Sequence, residues 1–353
     1  MQHVDAVTGA GALTPDDVSI LLVWTAIAIY ALAFVAYAVD LSRRSALAAD
    51  AQDVRSRELV GAAAGGGVVP ARAQVGVAAL DSAPARRPRY VWARIGTSLT
   101  VLGLLFHTGA DVTRGIAAGR VPWSNMYEFS LTGTMLVVAV YLAVLVRYDL
   151  RFLGAFITGL AVLLLGGASL AFYVEVVPLM DPLKSVWLVI HVFVASLGTA
   201  FFALAFGLSV LQLMQSRRER KRVLAAVNAA PAATARSSRG GPRFLGTLPS
   251  ADALESLAYR FAIIGFILWT FTLIAGSIWA RDAWGRYWGF DTKEVWTFVI
   301  WVLYAGYIHA RATRGWRGTR SAWLSIIGFA AVMFNFTIVN MFFKGLHVYS
   351  GLS

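Results

Sequence analysis

The residues best suited to chemistry in this sequence are a cluster of aromatic side chains and a small set of histidines. Residues 281–301 contain seven aromatic side chains, two glycines and three cations within a short stretch. The residues of interest are Trp284, Tyr287, Trp288, Phe290, Trp296 and Trp301, with Gly285 and Gly289, and with Arg281, Arg286 and Lys293. Glycines let the backbone approach a flat molecule held between aromatic faces. The stretch is therefore predicted to be a binding loop.

The same aromatic residues have a simpler explanation, which is an aromatic belt at the membrane–water boundary. Belt residues usually lie singly at helix ends, and a belt needs no loop that contains two glycines. We favour the binding interpretation and keep the belt as the alternative.

Five histidines occur, and three of them lie near the predicted outer ends of apolar segments: His107, His191 and His347. Imidazole ligates haem iron, and two imidazoles complete a six-coordinate porphyrin iron. His191 and His347 are therefore predicted to be axial ligands on the side of the membrane where the loop lies. His107 is predicted to be a hydrogen-bonded histidine at a helix end.

His309 differs from these histidines in its depth. It follows Glu294 by 15 residues, which on a helix corresponds to about 22 Å. It cannot ligate the same iron. Either it ligates haem inside the bilayer, or it extends towards the interface beside Arg311.

Two acidic residues near helix starts have two interpretations each. Asp291 and Glu294 have the spacing of a capping box, which we favour over general acid–base catalysis. Asn125 and Glu128 have the same spacing, so that Asn125 would cap the helix and Glu128 would accept its backbone N–H. Alternatively, Glu128 orients Arg120 or a ligand.

The elements that position these residues are predicted to be membrane-spanning helices. The chain of 353 residues is 58% hydrophobic and 14% charged, unlike ordinary soluble domains. A span needs roughly 20 apolar residues. Eight such segments indicate an all-α polytopic bundle with spans at 18–39, 91–109, 126–146, 153–172, 186–214, 256–280, 294–310 and 321–343.

The net charge of +12 is explained by membrane topology rather than by nucleic acid. If the first span runs from outside to inside, 22 of the 31 Lys and Arg residues face the cytoplasm. This bias predicts that both termini lie outside. Acidic residues precede the first span and Arg43 and Arg44 follow it, so it is expected to be retained rather than cleaved as a signal peptide.

The chain divides into three membrane parts and two linkers. The predicted parts are an N-terminal helix at 1–40, a cytoplasmic linker at 41–89, helices 2–5 at 90–214, a basic cytoplasmic linker at 215–255, and helices 6–8 at 256–353 with the outer tryptophan loop at 281–296. Both linkers are predicted to be disordered spacers, with contact to anionic lipid as a further role. Cysteine is absent, so any thiol chemistry must use the cysteines of a partner.

The tryptophan loop resembles the CcsA family of cytochrome c biogenesis proteins, also called ResC, within the WWD-type haem-handling superfamily of System II. The family pattern WGxxWxWDxKExW matches Trp284, Gly285, Trp288, Phe290, Asp291, Lys293, Glu294 and Trp296, with Phe290 in place of the usual Trp. Further matches are Arg120, Pro122, Asn125, Tyr127 and Glu128, then His191, the run His309–Arg311, and the residues around His347. The resemblance covers roughly 90–350 and leaves out span one and the linkers.

The resemblance implies eight spans, outer termini, His191 and His347 as axial ligands, and His309 as an intramembrane haem ligand. It also implies that haem b is the substrate. The protein would present haem for attachment to the CxxCH segment of apocytochrome c, as the haem-presenting subunit of a cytochrome c haem lyase. A ResB/CcsB-type membrane protein would be the partner.

Within this interpretation no side chain of the loop acts as an acid or base. Thioether formation adds cysteine thiols across the haem vinyl groups, and fixing the porphyrin is the main requirement. Trp284, Trp288 and Trp296 would position the ring, together with Tyr287, Phe290 and Asp291. Arg281, Arg286 or Lys293 would contact the propionates.

Three other functions fit parts of the pattern. A haem exporter like the CcmC family would pass haem to a chaperone without joining it to a cytochrome, but six spans would suffice for that. A b-type electron-transfer protein would show histidine pairs at matching depths. A plain transporter would show interrupted helices around a midplane site.

Overall fold

A computed structural model describes residues 13–64, 90–228, 243–313, 315–343 and 345–346. All regular elements among these residues are helical, which confirms the all-α prediction. The helices are α1 Pro15–Ala64, α2 Val91–Ala118, α3 Met126–Arg147, α4 Gly154–Ala171, α5 Val186–Asn228, α6 Ala251–Trp284, α7 Thr292–Thr313, α8 Thr319–Phe334 and α9 Asn340–Phe342. A π-helical turn, Asn335–Val339, joins α8 to α9, and 3₁₀ turns cover Arg151–Leu153, Asp181–Lys184 and Arg243–Thr247.

Seven helical segments in the described chain are long and apolar enough to cross a membrane. They lie in α1, α2, α3, α4, α5, α6 and the combined α8–α9 segment. The remaining long helix, α7, is less apolar because it contains Trp, Tyr, His and Arg residues. Its 22 residues still extend about 33 Å, which matches the hydrocarbon thickness. The chain is thus a multi-pass bundle, and an eighth crossing stays a prediction.

Helix pairs organise the bundle. α5 packs along α6 and α1 packs along α2, while α4 lies beside α1 and both α3 and α8 contact α5. In the main core, the ring of Phe202 stacks on Tyr304 of α7 with centroids 3.6 Å apart. A smaller core contains Leu188 of α5 and Trp279 of α6. This smaller core lies at the end of the bundle where α6 joins α7, which we call the loop end.

A buried ionic cluster holds the loop ends of α1, α2 and α3 together. The guanidinium of Arg114 is fully buried and contacts Asp16 at 2.6 Å and Glu128 at 3.2 Å. Arg120 contacts the second oxygen of Glu128 at 2.7 Å. Arg114 also donates to the carbonyl of Val174 in the α4–α5 connection. Four chain segments are therefore fixed through two arginines.

The cap of α3 is partly as predicted. Asn125 accepts the backbone N–H of Glu128 at 2.9 Å, which confirms Asn125 as the cap. The carboxylate of Glu128 does not accept the Asn125 N–H, because it accepts the Ser124 N–H and binds the two arginines instead. Of the two predicted roles of Glu128, the structure therefore shows the one in which it orients Arg120.

The predicted disorder of the linkers is wrong where helices continue through them. α1 extends to Ala64 and α5 extends to Asn228, beyond the apolar segments on which the boundaries were based. Both extensions are rich in Ala, Leu, Arg and Glu, which are strong helix formers even when they are polar. The basic linker is also shortened by the start of α6 at Ala251. The remaining parts, 65–89 and 229–242, lie outside the described residues.

Candidate functional site

The tryptophan loop begins where α6 stops. Gly285 adopts a left-handed conformation with φ of 71°, and its N–H bonds to the carbonyl of Arg281, which ends the helix after Trp284. α7 begins at Thr292, so that residues 285–291 form the bend. Phe290 also has a positive φ, of 55°, which is unusual for a bulky side chain. The strained backbone turns the exposed Phe290 ring away from the bundle.

Glu294 holds the loop from the first turn of α7. Its Oε2 accepts the backbone N–H of Gly289 at 2.8 Å and that of Asp291 at 3.2 Å. The second bond is the reciprocal half of a capping box, so the predicted capping role of Glu294 is confirmed. Asp291 has an additional contact that the sequence did not indicate: its Oδ1 accepts the N–H of Leu346 at 3.0 Å.

This contact joins the loop to the end of the described chain. Gly345 approaches Asp291 so closely that a Cβ at Gly345 would overlap the carboxylate. His347 lies outside the described residues, but Gly345 and Leu346, which precede it, are held against the loop. The proximity of His347 to the loop stays a prediction.

His191 lies in the second turn of α5, at the loop end, and is held by α6. Its Nδ1 lies 2.9 Å from the carbonyl oxygen of Thr272. A carbonyl can only accept, so Nδ1 carries the proton in the neutral ring and Nε2 carries the lone pair. The imidazole also stacks on Trp279, with centroids 5.9 Å apart at 22°. These contacts fix the orientation of the ring and place its lone pair on Nε2.

Gly276 permits this position of the imidazole. A Cβ at Gly276 would lie 2.7 Å from Cε1 of His191. Thr272, Gly276 and Trp279 follow one another at helical spacing, so one face of α6 forms the seat of His191. Sequence reasoning missed this seat, although the spacing of these three residues was visible.

A cavity of about 70 Å³, the loop cavity, lies between this seat and the loop. Its lining includes His191, Gly276, Tyr287, Trp288 and Lys293. The structure therefore brings His191 and two predicted aromatic residues to one space.

The other predicted tryptophans are placed differently. Trp284 meets Trp279 edge to face, with centroids 4.8 Å apart, and so packs beside the His191 seat. Trp296 packs on Phe334 of α8 at 4.4 Å and belongs to the residues around the main core. Trp296 therefore helps to hold α7 against α8 and does not line the loop cavity.

The candidate propionate-binding cations separate into two groups. Arg281 lies over the ring of Tyr287 at 5.3 Å, and the guanidinium of Arg286 lies against Gly289; both arginines are exposed. Lys293 instead points between helices and donates to Asn340 Oδ1 at 2.6 Å. The two arginines are therefore the cations available at the surface of the loop.

His309 lies on the exposed face of α7, where the side chains of Phe298 and Val302 are also exposed. Arg311 turns the other way and pairs with buried Glu255 at 3.1 Å. The histidine is thus presented at the bundle surface, away from His191.

His107 has a structural role, as predicted, but at a different place. Its Nε2 contacts the carbonyl of Leu131 at 2.9 Å and its Nδ1 contacts the hydroxyl of Tyr30 at 3.3 Å. The ring is fully buried. It does not close a helix, because α2 continues to Ala118 through a segment that contains the buried Arg114.

Comparisons with known proteins agree on one family. The profile of the family described as "Cytochrome C assembly protein" matches residues 123–347. "Cytochrome c biogenesis protein CcsA" of Guillardia theta is 33% identical over 266 residues, which covers 73% of this chain and 86% of that protein. The protein of the same name from Gloeobacter violaceus is 32% identical over 294 residues, covering 73% of this chain and 87% of the relative.

The fold is similar to that of a solved structure. "Cytochrome c Heme Lyase CcmF" superposes with a TM-score of 0.58 at 14% sequence identity. The superposition covers 92% of this chain and 47% of that chain, so this protein spans about half the length of the solved one. At this identity the likeness concerns the fold alone.

Proposed function

Since this chain belongs to the CcsA family of cytochrome c assembly proteins, we propose that it holds haem b and presents it for covalent attachment to the CxxCH segment of apocytochrome c. The observation that carries the proposal is the seat of His191. Its Nδ1 donates to the carbonyl of Thr272, so the lone pair that can ligate iron is on Nε2, in a ring held beneath an aromatic loop. Such a hydrogen bond orients a ligating histidine and raises its basicity.

His191 and His347 are the proposed axial ligands of the haem iron. The bond between Asp291 and Leu346 supports the second ligand, because it holds the residue before His347 at the loop. Two imidazoles from opposite sides would make the iron six-coordinate.

The aromatic residues would contact the porphyrin faces, while charges bind its propionates. Trp284, Tyr287, Trp288 and Phe290 are the proposed ring contacts, and Trp296 supports them through α7. Arg281 and Arg286 are exposed at the same loop and can pair with the propionate carboxylates. Asp291 contributes by holding the segment before His347.

The attachment step adds a cysteine S–H across each haem vinyl group. Sulfur bonds to one vinyl carbon and hydrogen bonds to the other, so no atom is lost. The residues of this chain fix the porphyrin so that the vinyl groups meet the two thiols in register. The histidine of the CxxCH segment would then replace one of the two axial histidines.

The topology we propose has eight crossings of the cell membrane, with both termini and the tryptophan loop on the extracytoplasmic side. The charge distribution supports it, because most Lys and Arg residues lie in segments at the opposite end. α7 would be the eighth span, paired with α8.

A ResB/CcsB-type membrane protein is the proposed partner, and His309 is the proposed intramembrane haem ligand. Its exposed position on α7, among apolar side chains, supports a role at a surface that a second membrane protein covers. Lipid would occupy the rest of the bundle surface.

The haem spectrum of the purified protein tests the axial ligands. Replacing both His191 and His347 with alanine should abolish six-coordinate ligation, and imidazole should restore it. His3→Ala serves as the control and should keep the original spectrum. An unchanged spectrum in the double variant would contradict the assignment.

Attachment is separated from export by co-expression with a ResB-type partner in a host without its own cytochrome maturation. We expect covalent cytochrome c to form. A haem exporter, the alternative function, would give bound haem but no covalent product in the same cells.

A further inference from the structure

A second and larger cavity adjoins the loop cavity and extends between the helices, and His191, Thr272 and Lys293 line both. This bundle cavity has a volume of about 190 Å³ and is lined by residues of α3, α5, α6 and α7 and of the segment from Val332 to Asn340. Most of its wall is apolar, with aromatic rings such as Phe129 and Trp269. It reaches from the level of Lys293 down to that of Thr199.

Three polar atoms in this wall have no hydrogen-bond partner among the described residues. They are the hydroxyl of Ser196, the amide oxygen of Asn335 and the indole N–H of Trp123. Ser196 is 2% exposed and Asn335 is 6% exposed, so neither side chain reaches bulk solvent. Buried polar atoms are nearly always paired, because an unpaired one costs free energy. Three in one wall indicate a polar occupant.

The backbone around Asn335 is also irregular. Asn335 begins the π-helical turn Asn335–Val339, a rare element that occurs often at functional sites. Its amide nitrogen donates to the hydroxyl of Thr297 at 3.2 Å. This bond orients the amide so that its oxygen is left as an acceptor in the cavity wall.

The size and chemistry of the cavity fit water. A single water needs roughly 10–15 Å³ of such space, so a cavity of about 190 Å³ holds a cluster. Water both donates and accepts, and it can therefore pair with an indole N–H, a hydroxyl and an amide oxygen at the same time. The Lys293 side chain, which lines the cavity and binds Asn340, adds a cation.

We propose that the bundle cavity is a hydrated chamber that binds a hydrogen-bonded cluster of water inside the membrane-spanning bundle. Ser196 and Thr199 follow His191 by five and eight residues on α5, which is about 8 Å and 12 Å of helix. Water thus reaches more than a third of the way through hydrocarbon of about 30 Å. It also solvates the Lys293 side chain, which lines the cavity near the loop.

The absence of cysteine from the chain permits a direct test in intact membranes. A single thiol is introduced as Ser196→Cys, and its modification by 2-aminoethyl methanethiosulfonate is followed by mass spectrometry of the purified protein. The control is Ala200→Cys, one turn deeper on α5 and packed in the main core. A thiol ionises and reacts in water, but it remains protonated among apolar side chains.

We expect Ser196→Cys to react at least roughly tenfold faster than Ala200→Cys, because only the first thiol would be hydrated. Equal rates for the two variants would overturn the proposal. This outcome does not depend on haem, so it is distinct from a failure of the proposed function.

Thermal unfolding gives a second test that needs no reagent to enter. If the chamber were dry, Ser196→Ala would remove an unpaired hydroxyl and raise Tm. In a hydrated chamber the hydroxyl is paired with water, and the same change should leave Tm unchanged or lower it. Ser209→Ala is the control, since its buried hydroxyl already bonds to the carbonyl of Ala205. A rise in Tm for Ser196→Ala above that control would contradict the proposal.

Discussion

His191 illustrates how the site depends on contacts of single residues. Its proton is assigned by one carbonyl, that of Thr272, and its position is permitted by one glycine, Gly276. The sequence predicted the histidine because its type and its place near a span end are unusual. It could not predict the seat, because periodicity identifies the faces of α6 but not the helix that packs on each face.

The seat can be tested with Gly276→Ala. The added methyl group would displace the imidazole, so we expect haem retention at the site to fall about 10-fold or more, as happens when residues behind a metal ligand are changed. Retention is measured as haem per purified protein. Gly306→Ala is the control, since a Cβ there meets no atom within 4 Å; equal losses in both variants would rule out the proposed seat.

A second prediction concerns the hydrogen bond between Asp291 and Leu346, the residue before His347. In Asp291→Ala the Leu346 N–H loses its acceptor, and we expect a fraction of the haem to become five-coordinate in its optical spectrum. Asp291→Asn keeps an acceptor oxygen and should retain most of the six-coordinate form. If both variants kept wild-type ligation, the bond would have no role in placing His347.

At the scale of elements, the loop between α6 and α7 was also predictable in part. Its ends were predictable, because Gly285 and the Asp291–Glu294 spacing are known helix-boundary signals. The place of Trp296 in the core was not, since an aromatic residue at the start of an apolar helix fits a cavity wall or a bundle interior equally well. The helix end after His107 was misplaced because hydropathy detects the hydrocarbon segment rather than the end of the helix.

Two variants of Glu294 test whether this residue caps α7 and anchors the loop or acts as an acid–base catalyst. Glu294→Ala leaves two backbone N–H groups unpaired and should lower stability by about 1–3 kcal/mol in thermal unfolding. Glu294→Gln keeps an acceptor and should form covalent cytochrome at close to the wild-type yield. Loss of product in the Gln variant, with haem binding and Tm unchanged, would instead indicate acid–base catalysis.

The whole bundle depends on a few buried charges as well as on its apolar faces. Arg114 joins α1, α2, α3 and the α4–α5 connection, and none of these contacts follows from hydropathy. The approximate places of the seven most apolar helices were predictable, since a segment must be apolar to cross lipid. The pairing of Arg114 with Asp16, 98 residues away in sequence, was not, because charge patterns carry no information about long-range partners.

Arg114→Ala should destabilise the whole protein. It leaves the buried carboxylate of Glu128 with one partner fewer, and breaking a buried pair in this way typically costs about 3–5 kcal/mol. Thermal unfolding in detergent should show a large fall in Tm. Lys184→Ala, which removes an exposed pair with Asp181, should change Tm little; similar shifts in the two variants would contradict the importance of the cluster.

The contact between Asp291 and Leu346 has a consequence for biosynthesis. The two residues are 55 positions apart, and α7 and α8 lie between them. The loop cannot acquire this contact until both helices have left the ribosome and entered the membrane. A nascent chain therefore exposes a loop without this contact until the residues that follow α8 have been made.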